Sequence, residues 1–287
     1  MPRFSALLAC VAIAGSAGTL PTGVRAAESY NGCTGFITSL PAVIQTQGTW
    51  CLKQDLSTGM TSGTAISVAT NNVTIDCNDF KVGGLAAGAG TTANGIHSTG
   101  QNITVRNCNV RGFRVGITLL GSASNTVEDN RLDGNTARGI VVHGDGSQIL
   151  HNRVTDTGGS SLGGEAYGIW FSLGAVAVED NRVSGVIPGG SNHFAWGIFQ
   201  DSNSTHGSVV RGNHITGVIP TGFGTAFCIF GQAGSVYEAN TVINPPSAAA
   251  AGISAPASSL CVGNRTGGFG INAITGGCTN GGGNVSF

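Results

Sequence analysis

The sequence predicts an all-β fold, a parallel β-helix solenoid of about eight coils with an N-terminal cap. Three observations point to it. First, one phrase recurs: aliphatic, polar, any residue, Asn, polar, aliphatic, a gap, then Gly-Ile. Examples are Val127-Glu128-Asp129-Asn130-Arg131-Leu132 leading to Gly139-Ile140, and Val178-Glu179-Asp180-Asn181-Arg182-Val183 leading to Gly197-Ile198. The Asn slot recurs as Asn78, Cys108, Asn130, Asn152, Asn181, Asn213, Asn240 and Asn264, and the Ile slot as Ile96, Ile117, Ile140, Ile169, Ile198, Ile229, Ile253 and Ile271. Self-similarity of this kind marks a solenoid. Second, each Ile lies 11 to 15 residues before the next Asn slot, whereas an Asn slot lies 7 to 18 residues before its own Ile, so insertions enter at one corner of the coil. Third, period-two alternation and β-branched residues make the units strands rather than helices. In such a rod, residues sharing a repeat slot stack at the ~4.8 Å strand spacing.

Taken in chain order, residues 1–26 read as a secretory signal: Met1-Pro2-Arg3, an apolar run from Phe4, and Val24-Arg25-Ala26 as a small-residue cleavage site. Leu7-Leu8-Ala9-Cys10 resembles a lipoprotein box only loosely, with nine residues before the Cys and the apolar run continuing past it. Residues 27–69 read as the N-terminal cap and first coil, stapled by a Cys33–Cys51 disulfide. Residues 70–275 are the β-helix and residues 276–287 a C-terminal tail. No other apolar run approaches the ~20 residues that cross a bilayer. The reading is of an exported chain, secreted or periplasmic, without a membrane partner.

Composition agrees. Forty-eight glycines suit repeated tight corners, and charged residues are only 9% of the 287. Without Arg3 and Arg25, 11 basic residues face 14 acidic ones, a net charge near −3, which does not favour a nucleic-acid partner. Seven cysteines remain after Cys10. Cys77 with Cys108, and Cys261 with Cys278, are further candidate pairs, leaving Cys228, which replaces the Gly before Ile229, as the free thiol. No Cys-x-x-Cys pair or His cluster has zinc-ligand spacing.

A function should surface as a column that packing does not explain. The inward columns (Ile75, Val105, Val127, Ile149, Val178, Val210, Tyr237, Cys261; and Phe80, Val110, Leu132, Val154, Val183, Ile215, Val242, Thr266) are core, and the stacked Asn amides are structural. The outward column Asp76, Arg106, Glu128, Leu150, Glu179, Arg211, Glu238 alternates in charge as cross-strand pairing requires. A second outward column, Asp79, Asn109, Arg131, Arg153, Arg182, His214, Thr241, Arg265, stacks like charges. Either Asp129, Asp133, Asp156 and Asp180 neutralise it, or it is a strip whose planar Arg forks hold carboxylates. A third column, His97, Thr118, Val141, Trp170, Phe199, Phe230, Ser254, opens after the insertions, with His143, Ser172, Asp201 and Gln232 two residues on. Its aromatics suit sugar rings and its polar groups sugar hydroxyls, unless the insertions or another subunit cover it.

These repeats resemble the secreted bacterial right-handed parallel β-helix proteins of the pectin-lyase-like superfamily. The likeness is carried over residues 70–275 by units such as Asn72-Val73-Thr74-Ile75-Asp76-Cys77-Asn78 and by the cap-like segment Cys33 to Leu52. The resemblance implies a right-handed coil and a polysaccharide partner, with β-elimination on a uronic-acid polymer as the candidate reaction. Arg131, Arg153, Arg182 and His214 are then the candidate catalytic residues, with His143, Trp170, Phe199, Asp201, Phe230 and Gln232 in substrate binding. The polygalacturonase motifs and the Asp-Pro-His signature of mannuronan epimerases are absent, and Asp129, Asp133, Asp156 and Asp180 only loosely imitate the calcium-binding aspartates of pectate lyases. The alternative is a non-catalytic extracellular module that binds glycan or self-assembles. The sequence leaves oligomeric state open.

Overall fold

The structure is a computed structural model and describes residues 30, 32–202, 207–245, 249–269 and 272–287; the signal segment and Ile271 lie outside the described residues. Every complete coil contributes one strand to each of three parallel sheets, while the first coil lacks a second-sheet strand and the last a third-sheet strand. The first runs from Gly35–Ile37 to Thr279–Asn280, the second from Leu56–Ser57 to Val285–Ser286, and the third from Ala42–Ile44 to Ile274–Thr275. The chain visits them in the order first, second, third, then climbs to the next coil. The eight sequence repeats are thus continued by strands at both ends.

Stacking by slot is observed directly. Ile96, Ile117, Ile140, Ile169, Ile198, Ile229 and Ile253 pair in register along the third sheet, preceded by Ile66. Ile274, not Ile271, follows Ile253 in register. On the second sheet two expected members shift: Lys81 and Val82, rather than Asp79 and Phe80, pair with Asn109 and Val110. The cause is local. Asn78 and Asp79 both adopt positive φ (48° and 61°), so this corner takes two more residues before its strand begins. The core is a column of aliphatic side chains, each fully buried Val, Ile or Leu contributing about 1.5–3 kcal/mol.

The corner between the first and second sheets explains the recurring Asn. Asn130, Asn152, Asn181, Asn213, Asn240 and Asn264 are buried. Each Oδ1 accepts the backbone N–H of the slot below; Asn152 Oδ1, for example, accepts Asn130 N–H at 3.0 Å. Each Nδ2 donates to a carbonyl of the first sheet, as Asn152 does to Val127 O at 2.8 Å. Asn284 extends this ladder at the C-terminal end, while Asn78 stands outside it, donating to Leu52 O. The residue before each rung is left-handed, at Asp129, His151, Asp180, Gly212, Ala239 and Gly263 (φ 52° to 66°), which suits Asp and Gly there. Disulfides join Cys33 to Cys51 in the first sheet, Cys77 to Cys108 across neighbouring coils, and Cys261 to Cys278; Cys228 is free and buried.

Candidate functional site

The third sheet carries an aromatic outer face. Thr118 pairs with His97 and Val141, and the column continues through Trp170, Phe199 and Phe230 to Ser254, as the repeat predicts. A second column, which the sequence reading missed, runs beside it: Asn94, Val115, Arg138, Tyr167, Trp196, Phe227, Ala251. Both columns face outward because Gly168 and Ile169, between Tyr167 and Trp170, both face the core. A Cβ on Gly168 would lie 2.5 Å from Val183 Cγ1 and 2.6 Å from Gly197 O. The same crowding holds at Gly95, Gly116, Gly139 and Gly197, which is why Gly precedes Ile in the repeat.

Three coils therefore present six rings in two columns, and the rings pack on one another. Trp196 stacks on Phe227 (centroids 4.8 Å apart, planes 12°) and on Tyr167 (6.0 Å, 7°), and meets Phe199 and Phe230 at 4.8 and 5.3 Å. Phe199 stacks on Phe230 at 5.5 Å, and Tyr167 on Trp170 at 5.0 Å. The insertions border this face without covering it: Trp170, Trp196, Phe199, Phe227 and Phe230 remain half-exposed. Phe194, ending one insertion, stacks on Trp196 at 5.7 Å, and Phe223 in the next is 96% exposed.

Polar groups cluster at the N-terminal end of the rings. Arg138 Cζ sits 4.4 Å from the Trp170 ring centroid and 5.4 Å from that of Tyr167. His143 meets Trp170 edge-on at 6.3 Å. Burial lowers the His143 pKa; Asp201 opposes the shift and Arg138 adds to it. Burial also lowers His97 and Arg138. The Tyr167 hydroxyl donates to the Glu165 carboxylate, and burial followed by that bond raises its pKa. Trp170 Nε1, Trp196 Nε1, Arg138 Nε, His143 Nε2 and Thr118 Oγ1 are covered yet make no hydrogen bond. A covered donor without an acceptor costs about 1–3 kcal/mol, which a ligand oxygen would relieve once a side-chain rotation uncovered the donor.

The remaining expected residues lie elsewhere. Asp201 follows the third-sheet strand within electrostatic reach of His143 and Tyr167, whereas Gln232 donates through Nε2 to Gln200 O and is engaged in the buried Gln200–Ser235–Tyr237 network. Burial pushes the Tyr237 phenol there up to about 12. Ser172 is buried. Arg131, Arg153, Arg182 and His214 do stack in register, but on the second sheet, so the structure separates them from the rings. An open cleft of about 510 Å³ lies there between Asp55, Lys81, Arg111, Arg131, Asp133 and Arg153. Neutralisation is partial: Arg111 pairs with Asp133 at 2.6 Å and Arg131 with Asp79 at 3.9 Å, while Asp129 and Asp180 flank His151 instead. Among the described residues Arg153 and Arg182 have no carboxylate within 4.0 Å, and no three His, Cys, Asp or Glu side chains converge on a possible metal position.

Fold and site together define a parallel β-helix with an aromatic, donor-lined outer face. The chain belongs to the family described as Right handed beta helix region, whose model matches residues 57–217. No curated protein matches. Among solved structures it is similar to the Dettilon tailspike protein (15% identity, TM-score 0.54, covering 87% of this chain and 59% of that one). It is also similar to the A-module of the Azotobacter vinelandii mannuronan C-5 epimerase AlgE6 (13% identity, TM-score 0.48, covering 88% and 87%). The chain thus spans about three fifths of the tailspike's length.

Proposed function

We propose that this protein is an exported, polysaccharide-engaging β-helix that holds its glycan along the third sheet. Three disulfides fit an oxidising compartment. The observation that carries the reading is the ring lattice in which Trp170, Trp196, Phe199, Phe227 and Phe230 stand half-exposed around the buried Tyr167, beside covered donors that lack acceptors. Flat rings accept the apolar faces of sugars, and N–H groups alongside hold hydroxyl oxygens. An apolar protein partner would satisfy the rings and leave the donors unpaired. Affinity electrophoresis through gels carrying a panel of polysaccharides tests this. Wild-type protein should be retarded by at least one polymer, and Trp196→Ala and Phe199→Ala should run freely while their Tm falls by only a few degrees. Retardation unchanged in both variants, or none on any polymer, overturns the reading.

Lyase action by β-elimination on an acidic polysaccharide is the second reading, and the second-sheet cleft with Arg131 and Arg153 is the observation that favours it. There one Arg, such as Arg153 or Arg182, would take the proton beside the uronate carboxylate, another would neutralise the charge that grows on that carboxylate, and the glycosidic oxygen on the adjacent carbon would leave as the double bond forms. Release of unsaturated products, read by ultraviolet absorbance on polyuronides and lost in Arg153→Gln, supports it; intact polymer in every digest leaves the protein as a non-catalytic glycan-binding module.

A further inference from the structure

We infer that Arg138 reads charge at the N-terminal end of the ring floor, selecting glycans that present an oxyanion there, whether a uronate carboxylate or a sulfate ester. The inference rests on the glycan-binding reading of the third sheet and deepens it.

Arg106, Arg111, Arg131 and Arg211 each face a carboxylate within 4.0 Å, and Arg153 and Arg182, which do not, are exposed on the second sheet. Arg138 is unpaired and half-buried on the ring face. Arg138 stands one coil before Tyr167 in the column that becomes Trp196 and Phe227, half-buried against two rings. Its backbone N–H donates to Arg114 O at 3.0 Å, but among the described residues its side chain makes neither an ion pair nor a hydrogen bond, and its Nε is covered. Glu165, the carboxylate that acts on it, is bonded to the Tyr167 hydroxyl, and Arg114 adds a second positive charge nearby.

The chemistry follows from the guanidinium. Stacking on Trp170 offsets part of the lost hydration, since a cation over an aromatic face is worth about 0.5–2 kcal/mol. With Nε covered, it leaves the Nη N–H donors unsatisfied, and these form an end-on fork that matches two oxygens of a carboxylate or sulfate. Stacking also fixes the orientation of that fork before any ligand arrives. A sugar chain lying along the rod on Trp196 and Phe199 would bring the acidic group of its next residues to this fork, because slots repeat at the ~4.8 Å strand spacing. The competing role is packing alone, with Arg138 merely covering Trp170.

Calorimetric titration of the full chain separates the two. The probes are an oligogalacturonate with its methyl ester, and a sulfated oligosaccharide with its desulfated form; the proteins are wild type, Arg138→Gln and Arg138→Lys. One acidic probe should bind wild type about tenfold more tightly than its neutral partner, and the acidic pair that shows the ratio identifies the carboxylate or the sulfate as the source. Arg138→Gln should bring the ratio to near unity with neutral binding retained, and Arg138→Lys, which keeps the charge and loses the fork, should fall between. Equal wild-type affinity for acidic and neutral probes overturns the charge-reading role while leaving the ring floor standing. An unchanged ratio in Arg138→Gln, or parallel loss of all binding with a fall in Tm in both variants, assigns Arg138 to packing. Failure of wild type to bind any probe removes the ring floor itself.

Discussion

Replacing Asn181 by Ala tests whether the amide ladder holds the rod in register. Asn181 Oδ1 accepts from Asn152 N at 2.9 Å and from Asn152 Nδ2 at 3.0 Å, while its own Nδ2 donates to Ile149 O at 2.8 Å and to Asn213 Oδ1 at 3.0 Å. Truncation leaves the buried Asn152 N–H without its acceptor and takes a donor from Ile149 O. Asn152 Nδ2 keeps Val127 O, so it adds little. Two orphaned groups at about 1–3 kcal/mol each give a loss of about 2–6 kcal/mol. Each coil contacts only its neighbours, so that loss weakens one interface and uncouples the two halves of the rod. Urea unfolding measures it, with Asn284→Ala as the comparison. Asn284 Oδ1 accepts from Asn264 N at 2.9 Å and its Nδ2 donates to Cys261 O at 2.8 Å, but it is half-buried at the end of the rod, so truncation lets water reach the freed groups and the expected loss is below about 1 kcal/mol. Equal losses at the two positions, or less than about 1 kcal/mol at Asn181, would refute the claim that the ladder acts through buried, water-inaccessible donors.

Two further outcomes are expected. Gly168→Ala drives a methyl against Val183 Cγ1 and Gly197 O, the latter backbone, so overpacking should cost about 1–3 kcal/mol and disturb the flanking rings, seen as a lower Tm with altered near-ultraviolet circular dichroism; an unchanged spectrum and Tm would contradict the close approach. His97 and His143 have folded-state pKa values lowered by burial, so the unfolded chain binds more protons as the pH drops through the ordinary His value of 6.5, and stability falls there. The slope of Tm against pH between about 7 and 5 should flatten in the His97→Gln, His143→Gln double variant, and an identical slope would mean both imidazoles are fully hydrated.

The sequence made the rod legible because identical side chains occupy identical slots: Ile140, Ile169 and Ile198 recur, as do Asn130, Asn152 and Asn181, and each stands where the repeat puts it. Half of the aromatic face was not legible. Strict alternation from Ile169 sends Tyr167 inward, whereas the consecutive inward pair Gly168–Ile169 turns Tyr167, Trp196 and Phe227 out beside Trp170, Phe199 and Phe230. A Gly repeated beside a fixed Ile was the available signal. The Lys81 shift came from two successive left-handed residues, whose lengthening of the corner hydropathy does not reveal. Which side of the insertion corner a strand occupies decides whether two strips share a groove. Arg153 and Trp170 fall on opposite sides of it, a fact of three-dimensional closure rather than of residue type.

The mutual stacking of Trp196 with Tyr167, Phe199, Phe227 and Phe230 has a thermodynamic corollary. Aromatic side chains wedged between neighbours have already surrendered their torsional freedom in the free protein, so an incoming molecule need not immobilise them, at about 0.5–1.5 kcal/mol for each side chain so spared. Trimming one ring loosens the others, and the penalty for association reappears at positions the substitution never touched. Double variants on this face should therefore lose less than the sum of their single losses.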